Sequence, residues 1–220
     1  MRSITLILLL AAISIFTGCY TTEDAADVNQ DRISVTYCTV FNETRGYTKS
    51  VIYFKFGQTN LRLSNAMYYR SQRLYEEDNI LWGLHYARDV DQVTTGSYEW
   101  TDENGVVYNN NVVPYGFQLT QAPTSIQRNK FYDLAWTGDE IPYGDGKFTI
   151  SVESRTQTHI KSFGGQKQLK IEPEDLVDFP LGAATMTISR NYSEPIDEGT
   201  QAGGESGVSF IREYDITITD

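Results

Sequence analysis

Along most of this chain, apolar and polar residues alternate in short runs, and turn-forming residues break each run. Lys147-Phe148-Thr149-Ile150-Ser151-Val152-Glu153 shows the pattern cleanly, and Ile33 to Phe41 repeats it. A period of two places alternate side chains on opposite faces of a pleated strand, so each run buries one face only. No stretch after residue 30 carries apolar residues at helical spacing. The 15 Tyr, 10 Phe and 3 Trp, with many Val, Ile and Thr, belong to the types that suit a half-buried pleated surface. The expected fold class is therefore all-β.

Further strands are expected over Ser50–Phe56, Ile80–Tyr86, Phe131–Trp136, Ala184–Arg190 and Ser209–Thr219, with shorter pieces at 61–63, 66–69 and 169–171. Glu172-Pro173-Glu174-Asp175-Leu176 reads as one helical turn, with proline and acids at the end where free N–H groups favour them. Asn191 to Gly207 is rich in Gly and acids and reads as a loop. The sharpest local signal is Gly96-Ser97-Tyr98-Glu99-Trp100-Thr101, then Asp102-Glu103-Asn104-Gly105, then Val106-Val107-Tyr108. Asn-Gly between two β-prone runs predicts a hairpin, because both residues tolerate positive φ. This hairpin resembles the closing strands of bacterial extracellular Ig-like domains. The resemblance implies a first Ig-like sandwich at 32–115, with Val113-Pro114-Tyr115-Gly116 at the junction. Strands every 8 to 15 residues between Gly, Pro and Asp turns point to a second sandwich at 116–220, two Ig-like sandwiches in tandem. A single larger jelly-roll-like sandwich is the alternative.

The N-terminus has a different character. Arg2 precedes an apolar run from Ile4 to Phe16, too short to span a bilayer as a helix, and then small residues. Ile15-Phe16-Thr17-Gly18-Cys19 resembles the lipobox of bacterial lipoproteins, with Phe16 where that family carries Leu. The resemblance implies cleavage after residue 18 and a membrane attachment through acyl chains on Cys19. It also implies sorting to the outer membrane of the cell envelope, because Tyr20 stands where Asp would signal inner-membrane retention. The polar, acidic segment 19–31 is expected to be a flexible tether. The competing reading is a secreted chain whose two cysteines, Cys19 and Cys38, form a disulfide.

Charge narrows the partners. A formal charge of −11 repels phosphate backbones and anionic lipid, so nucleic acid is an unexpected partner. No cofactor or metal is expected: P-loop and dinucleotide glycine patterns are missing, and no His/Cys pair has zinc-ligand spacing. Structural calcium would have to come from the carboxylates around Asp102 or around Asp139, Glu140 and Asp145, and neither stretch alternates ligands as a calcium loop does. His85 sits in an apolar run, His159 near a strand end, and nothing ties either to Cys38 as a nucleophile–base pair. No catalytic residue is therefore assigned, and a binding or structural module is expected in place of an enzyme. Exposed aromatics could stack on sugar rings, which makes a glycan one expected partner and an envelope protein another. The candidates are Tyr68, Tyr69, Trp100 and Tyr115, while Trp82 and Trp136 have apolar neighbours and are expected in the core.

Overall fold

A computed structural model describes residues 21–79, 82–144, 146–164 and 168–220. The lipobox, with Cys19, lies outside the described residues. Among the described residues the regular structure is nearly all β-strand. The first half contains β1 (Thr22–Asp24), β2 (Ser34–Asn42), β3 (Tyr47–Phe56), β4 (Thr59–Arg62), β5 (Tyr68–Tyr69), β6 (Gln72–Arg73), β7 (Tyr75–Asn79), β8 (Gly83–Asp91), β9 (Gly96–Thr101) and β10 (Val107–Val112). The second contains β11 (Phe117–Leu119), β12 (Ser125–Gln127), β13 (Tyr132–Gly138), β14 (Lys147–Glu153), β15 (Thr158–Gly164), β16 (Gln168–Ile171), the helical turn α1 (Pro173–Leu176), β17 (Gly182–Glu194) and β18 (Gly204–Thr219).

These strands form one large and two small sheets. The large one has 11 strands and runs β1-β4-β3-β2-β18-β17-β14-β15, with β8 and β7 continuing from β3 and β12 added to β18. One small sheet, β10-β9-β5-β6, comes from the first half of the chain, and the other, β11-β13-β16, from the second. Both pack on the same face of the large sheet. The Phe54 ring meets Trp100 at 4.9 Å and Tyr37 meets Tyr98 at 4.8 Å under the first. Phe148 meets Trp136 at 4.7 Å and Phe117 at 5.2 Å under the second.

Each small sheet is built from one half of the chain, while the large sheet draws strands from both. Strand β2 pairs in parallel with β18, Val35 opposite Gly204 through Asn42 opposite Ile211. That ladder joins the two halves of the chain into one sheet, which corrects the picture of two self-contained tandem sandwiches. Local alternation reports that a strand exists and says little about which distant strand it joins.

The segment expected to be a flexible tether is docked from Thr22 onward. Strand β1 pairs in parallel with β4. Ala25 and Gln30 are buried. The Gln30 amide donates to the carbonyl of Val28 at 3.0 Å and to that of Ala25, and its oxygen accepts from Glu103 N–H at 3.1 Å. One glutamine side chain thus fastens an otherwise polar segment to the hairpin turn.

Candidate functional site

Two regions of the fold gather polar and aromatic side chains. The first is the seam where the chain passes from one small sheet to the other, at Val113–Gly116. Strand β17 presents Arg190, Tyr192 and Glu194 on its covered face, two residues apart, and all three grip this passage. The Tyr192 hydroxyl donates to the Val113 carbonyl at 2.6 Å and accepts from Tyr115 N–H at 2.9 Å. The Glu194 carboxylate accepts from Val113 N–H, both oxygens at 3.4 Å. Arg190 is buried and donates through Nη1 to the carbonyls of Asp139 at 2.7 Å and Gly116 at 3.2 Å. Its guanidinium lies over the Trp136 ring, 5.1 Å from the centroid, where the ring quadrupole favours a cation. Burial pushes the Glu194 carboxyl up to about 7; the Val113 N–H offsets part of this, and nearby Asp197 adds to it.

The second region is the face of the large sheet turned away from both small sheets. Strand alternation places Tyr47, Lys49, Val51, Tyr53 and Lys55 of β3 there, since Thr48, Ser50, Ile52 and Phe54 point inward and are buried. On neighbouring β8, His85 stands on the outward face. Its Nδ1 is 2.9 Å from the Gly83 carbonyl oxygen, its Nε2 is 3.3 Å from a Glu77 carboxylate oxygen, and its ring is 5.2 Å from that of Tyr53. In the second half of the chain the same face carries small polar residues. Ser162, Thr149 and Ser189 follow one another across β15, β14 and β17. Ser209 Oγ donates to Asn191 Oδ1 at 2.7 Å. The face is thus aromatic and of mixed charge at one end, where Lys49 stands opposite Asp89 and Tyr47 opposite Asp91, and hydroxyl-lined at the other.

The residues singled out by sequence for ring stacking divide between core and surface. Trp100 and Tyr69 are fully buried. Trp100 Nε1 donates to the Tyr37 hydroxyl at 2.8 Å, and the Tyr69 ring packs on Tyr98 at 4.9 Å, so neither presents a ring face to solvent. The alternation Tyr98-Glu99-Trp100 points both aromatics of β9 into the sandwich. Tyr68 and Tyr115 are half-buried. Tyr115 lies edge-on to Tyr192, 5.5 Å away, at the seam. Trp136 is partly buried and packed on the core. Trp82 differs from the core position expected for it: it is half-buried in the turn before β8, where its N–H donates to Asn79 Oδ1. Tyr47 and Tyr53, which the sequence reading passed over, could have been found by asking which face of β3 its neighbours bury.

The other sequence candidates have structural partners. Cys38 is a free thiol on β2, and burial pushes it up to about 12, away from the thiolate form. His159 lies within β15, its Nε2 3.5 Å from Asp175. Asp102 Oδ1 accepts from the N–H groups of Asn104 and Val106, shaping the hairpin turn that Gly105 completes at φ +83°. Among the described residues no three His, Cys, Asp or Glu side chains are grouped to hold a metal ion.

No family model matches the chain, and no curated protein matches it. Among solved structures it is similar to a chain from a 1.5-MDa bacterial ice-binding adhesin studied for its retention on the host cell surface. The likeness covers 87% of this chain and 66% of that one at 10% identity, with a TM-score of 0.26. That score is below the level at which two chains share a fold, so what this protein does has to be argued from its own residues.

Proposed function

We propose that this protein is a lipid-anchored, non-enzymatic binding module of the bacterial envelope, attached through acyl chains on Cys19. Its contact surface is the outward face of the large sheet around Tyr47, Tyr53, Lys49 and Lys55. The observation that carries this reading is the one-sided cover: both small sheets pack on a single face. The other face holds aromatic and long polar side chains in fixed cross-strand register. Side chains aligned by a sheet lose little further freedom when a ligand binds. A glycan chain suits such a face, since tyrosine rings stack on sugar rings while lysines and hydroxyls bond their oxygens. The anchor rests on the lipobox-like Phe16-Thr17-Gly18-Cys19, and Tyr20 favours the outer membrane.

A glycan array with the wild-type chain and Tyr53→Ala tests the contact face. The expected result is selective binding that falls at least tenfold in the variant, while the melting temperature moves little because Tyr53 is only half-buried. Glycan signal that is undiminished in the variant would place the contact elsewhere. Mass spectrometry of the mature N-terminus tests the anchor, the expected species being a diacylglyceryl thioether on Cys19. An unmodified thiol there would remove the anchor while leaving the contact face open.

A further inference from the structure

Among the described residues, four strands of the large sheet pair on one side only: the three-residue β1 and β12, and the longer β7 and β15. Strand β7 forms a ladder only with β8, and β15 only with β14, among the described residues. All five residues of β7 are exposed, and on β15 Ile160 is 44% exposed. Unpaired edges of this kind offer a row of backbone donors and acceptors to another strand. The edges carry opposite charge. Tyr75-Glu76-Glu77-Asp78-Asn79 has three carboxylates and no base, while Thr158-His159-Ile160-Lys161-Ser162-Phe163-Gly164 has a lysine and a histidine and no acid.

We propose that copies of this chain assemble head to tail, β7 of one copy adding antiparallel to β15 of the next, so that the large sheet continues from molecule to molecule. The face alternation selects a register. Glu76 and Asp78 stand opposite Tyr86 and Leu84, which point into the core, and Lys161 and His159 stand opposite the buried Ile150 and Val152. Setting Glu77 opposite Ile160 places Glu76 against Lys161 and Asp78 against His159, all four on the same face. On the other face Tyr75 meets Ser162 and Asn79 meets Thr158. A slip by one residue puts each strand's inward set on the wrong side of the continued sheet.

Charge disfavours the symmetric pairing of two β7 edges. Two β7 edges side by side would oppose carboxylate to carboxylate, which costs free energy in directly opposed pairs. An interface between unlike edges is heterologous and propagates without closing unless the rotation forms a ring. The existing partners extend the same pattern. Lys161 Nζ already bonds Asp175 at 2.8 Å and Glu172 at 2.6 Å, and Arg62 bonds Glu76 at 3.0 Å. The new contact therefore joins these pairs into one row of alternating sign, from Asp175 through Lys161 and Glu76 to Arg62.

The test is oxidative cross-linking of residues 21–220, which contain every described element, in a Cys38→Ser background. The double variant Glu77→Cys/Ile160→Cys is expected to form a covalent ladder, and a mixture of the two single variants only dimers joined 77 to 160. Adding Glu76→Lys/Asp78→Lys is expected to abolish the ladder; both positions are exposed, so an unchanged melting temperature confirms the fold. A double variant that stays monomeric at concentrations where the wild type does too in sedimentation velocity overturns the proposal. So does a cross-link joining 77 to 77 or 160 to 160 in a single variant.

Discussion

At the scale of single residues, the seam turns on Glu194. The residue is 7% exposed, on a face it shares with Arg190, Tyr192, Met186 and Ile188, and its pKa of about 7 lies above the ordinary carboxylate range near 4.3. A raised carboxyl pKa means that the folded chain holds a proton over a pH range where the unfolded chain has released it. Stability from this group is therefore fully present below about pH 4.3 and declines as pH rises towards 7. Glu194→Gln keeps an oxygen to accept from Val113 N–H and removes the charge. The variant is expected to be more stable than wild type at pH 8, by about 1–3 kcal/mol in urea unfolding. The difference should shrink towards zero near pH 4. An equal difference at both pH values would mean that the ionisation of Glu194 has no part in the seam.

At the scale of elements, what the sequence made legible depended on which face of a strand is covered. Strand β14 and the β9–β10 hairpin were readable because their inward positions are apolar and the Asp102–Gly105 turn has its own chemistry. Strands β17 and β18 were readable only in part: the sequence suggests 184–190 and 209–219 with a long loop between, whereas they run 182–194 and 204–219. The missed residues alternate as strands do, but the inward positions there are Tyr192, Glu194, Gly204, Ser206 and Val208, three of the five polar or glycine. The outward ones are Asn191, Ser193, Glu205 and Gly207, on the face turned away from both small sheets. Hydropathy carries no signal where a strand serves the seam instead of the core. Glycine at 204 has a separate cause, since a Cβ there would stand 2.3 Å from the Val35 carbonyl oxygen at the start of the β2–β18 ladder. Of the candidate contact residues, Trp100 and Tyr69 were aromatics without a stated face, and composition alone could not assign one.

At the scale of the whole molecule, the parallel ladder between β2 and β18 decides whether the chain behaves as one domain or two. Strand β18 pairs along its length with β17, Gly182–Glu194 against Ser206–Ile218, and on its other side with β2. The second half of the chain thus supplies a neighbour to the first half's central strand. The first half returns the cover: Tyr37 on β2 accepts from Trp100 Nε1 and Asn110 Nδ2, while Asn110 accepts from the N–H groups of Asp197 and Glu198 just beyond β17. Two sandwiches linked only at Val113–Gly116 would unfold independently, and each could be expressed alone. With the sheet shared, cutting at 115/116 exposes the inner edges of β2 and β18 and takes from Asn110 its partners at Asp197 and Glu198. Residues 21–220 are therefore expected to melt in a single calorimetric transition whose van't Hoff and calorimetric enthalpies agree. The fragments 21–115 and 116–220 are expected to give no cooperative transition alone and to regain one when mixed. Two resolved transitions in the intact chain, or a fragment that melts cooperatively by itself, would show that the ladder joins two domains without merging them.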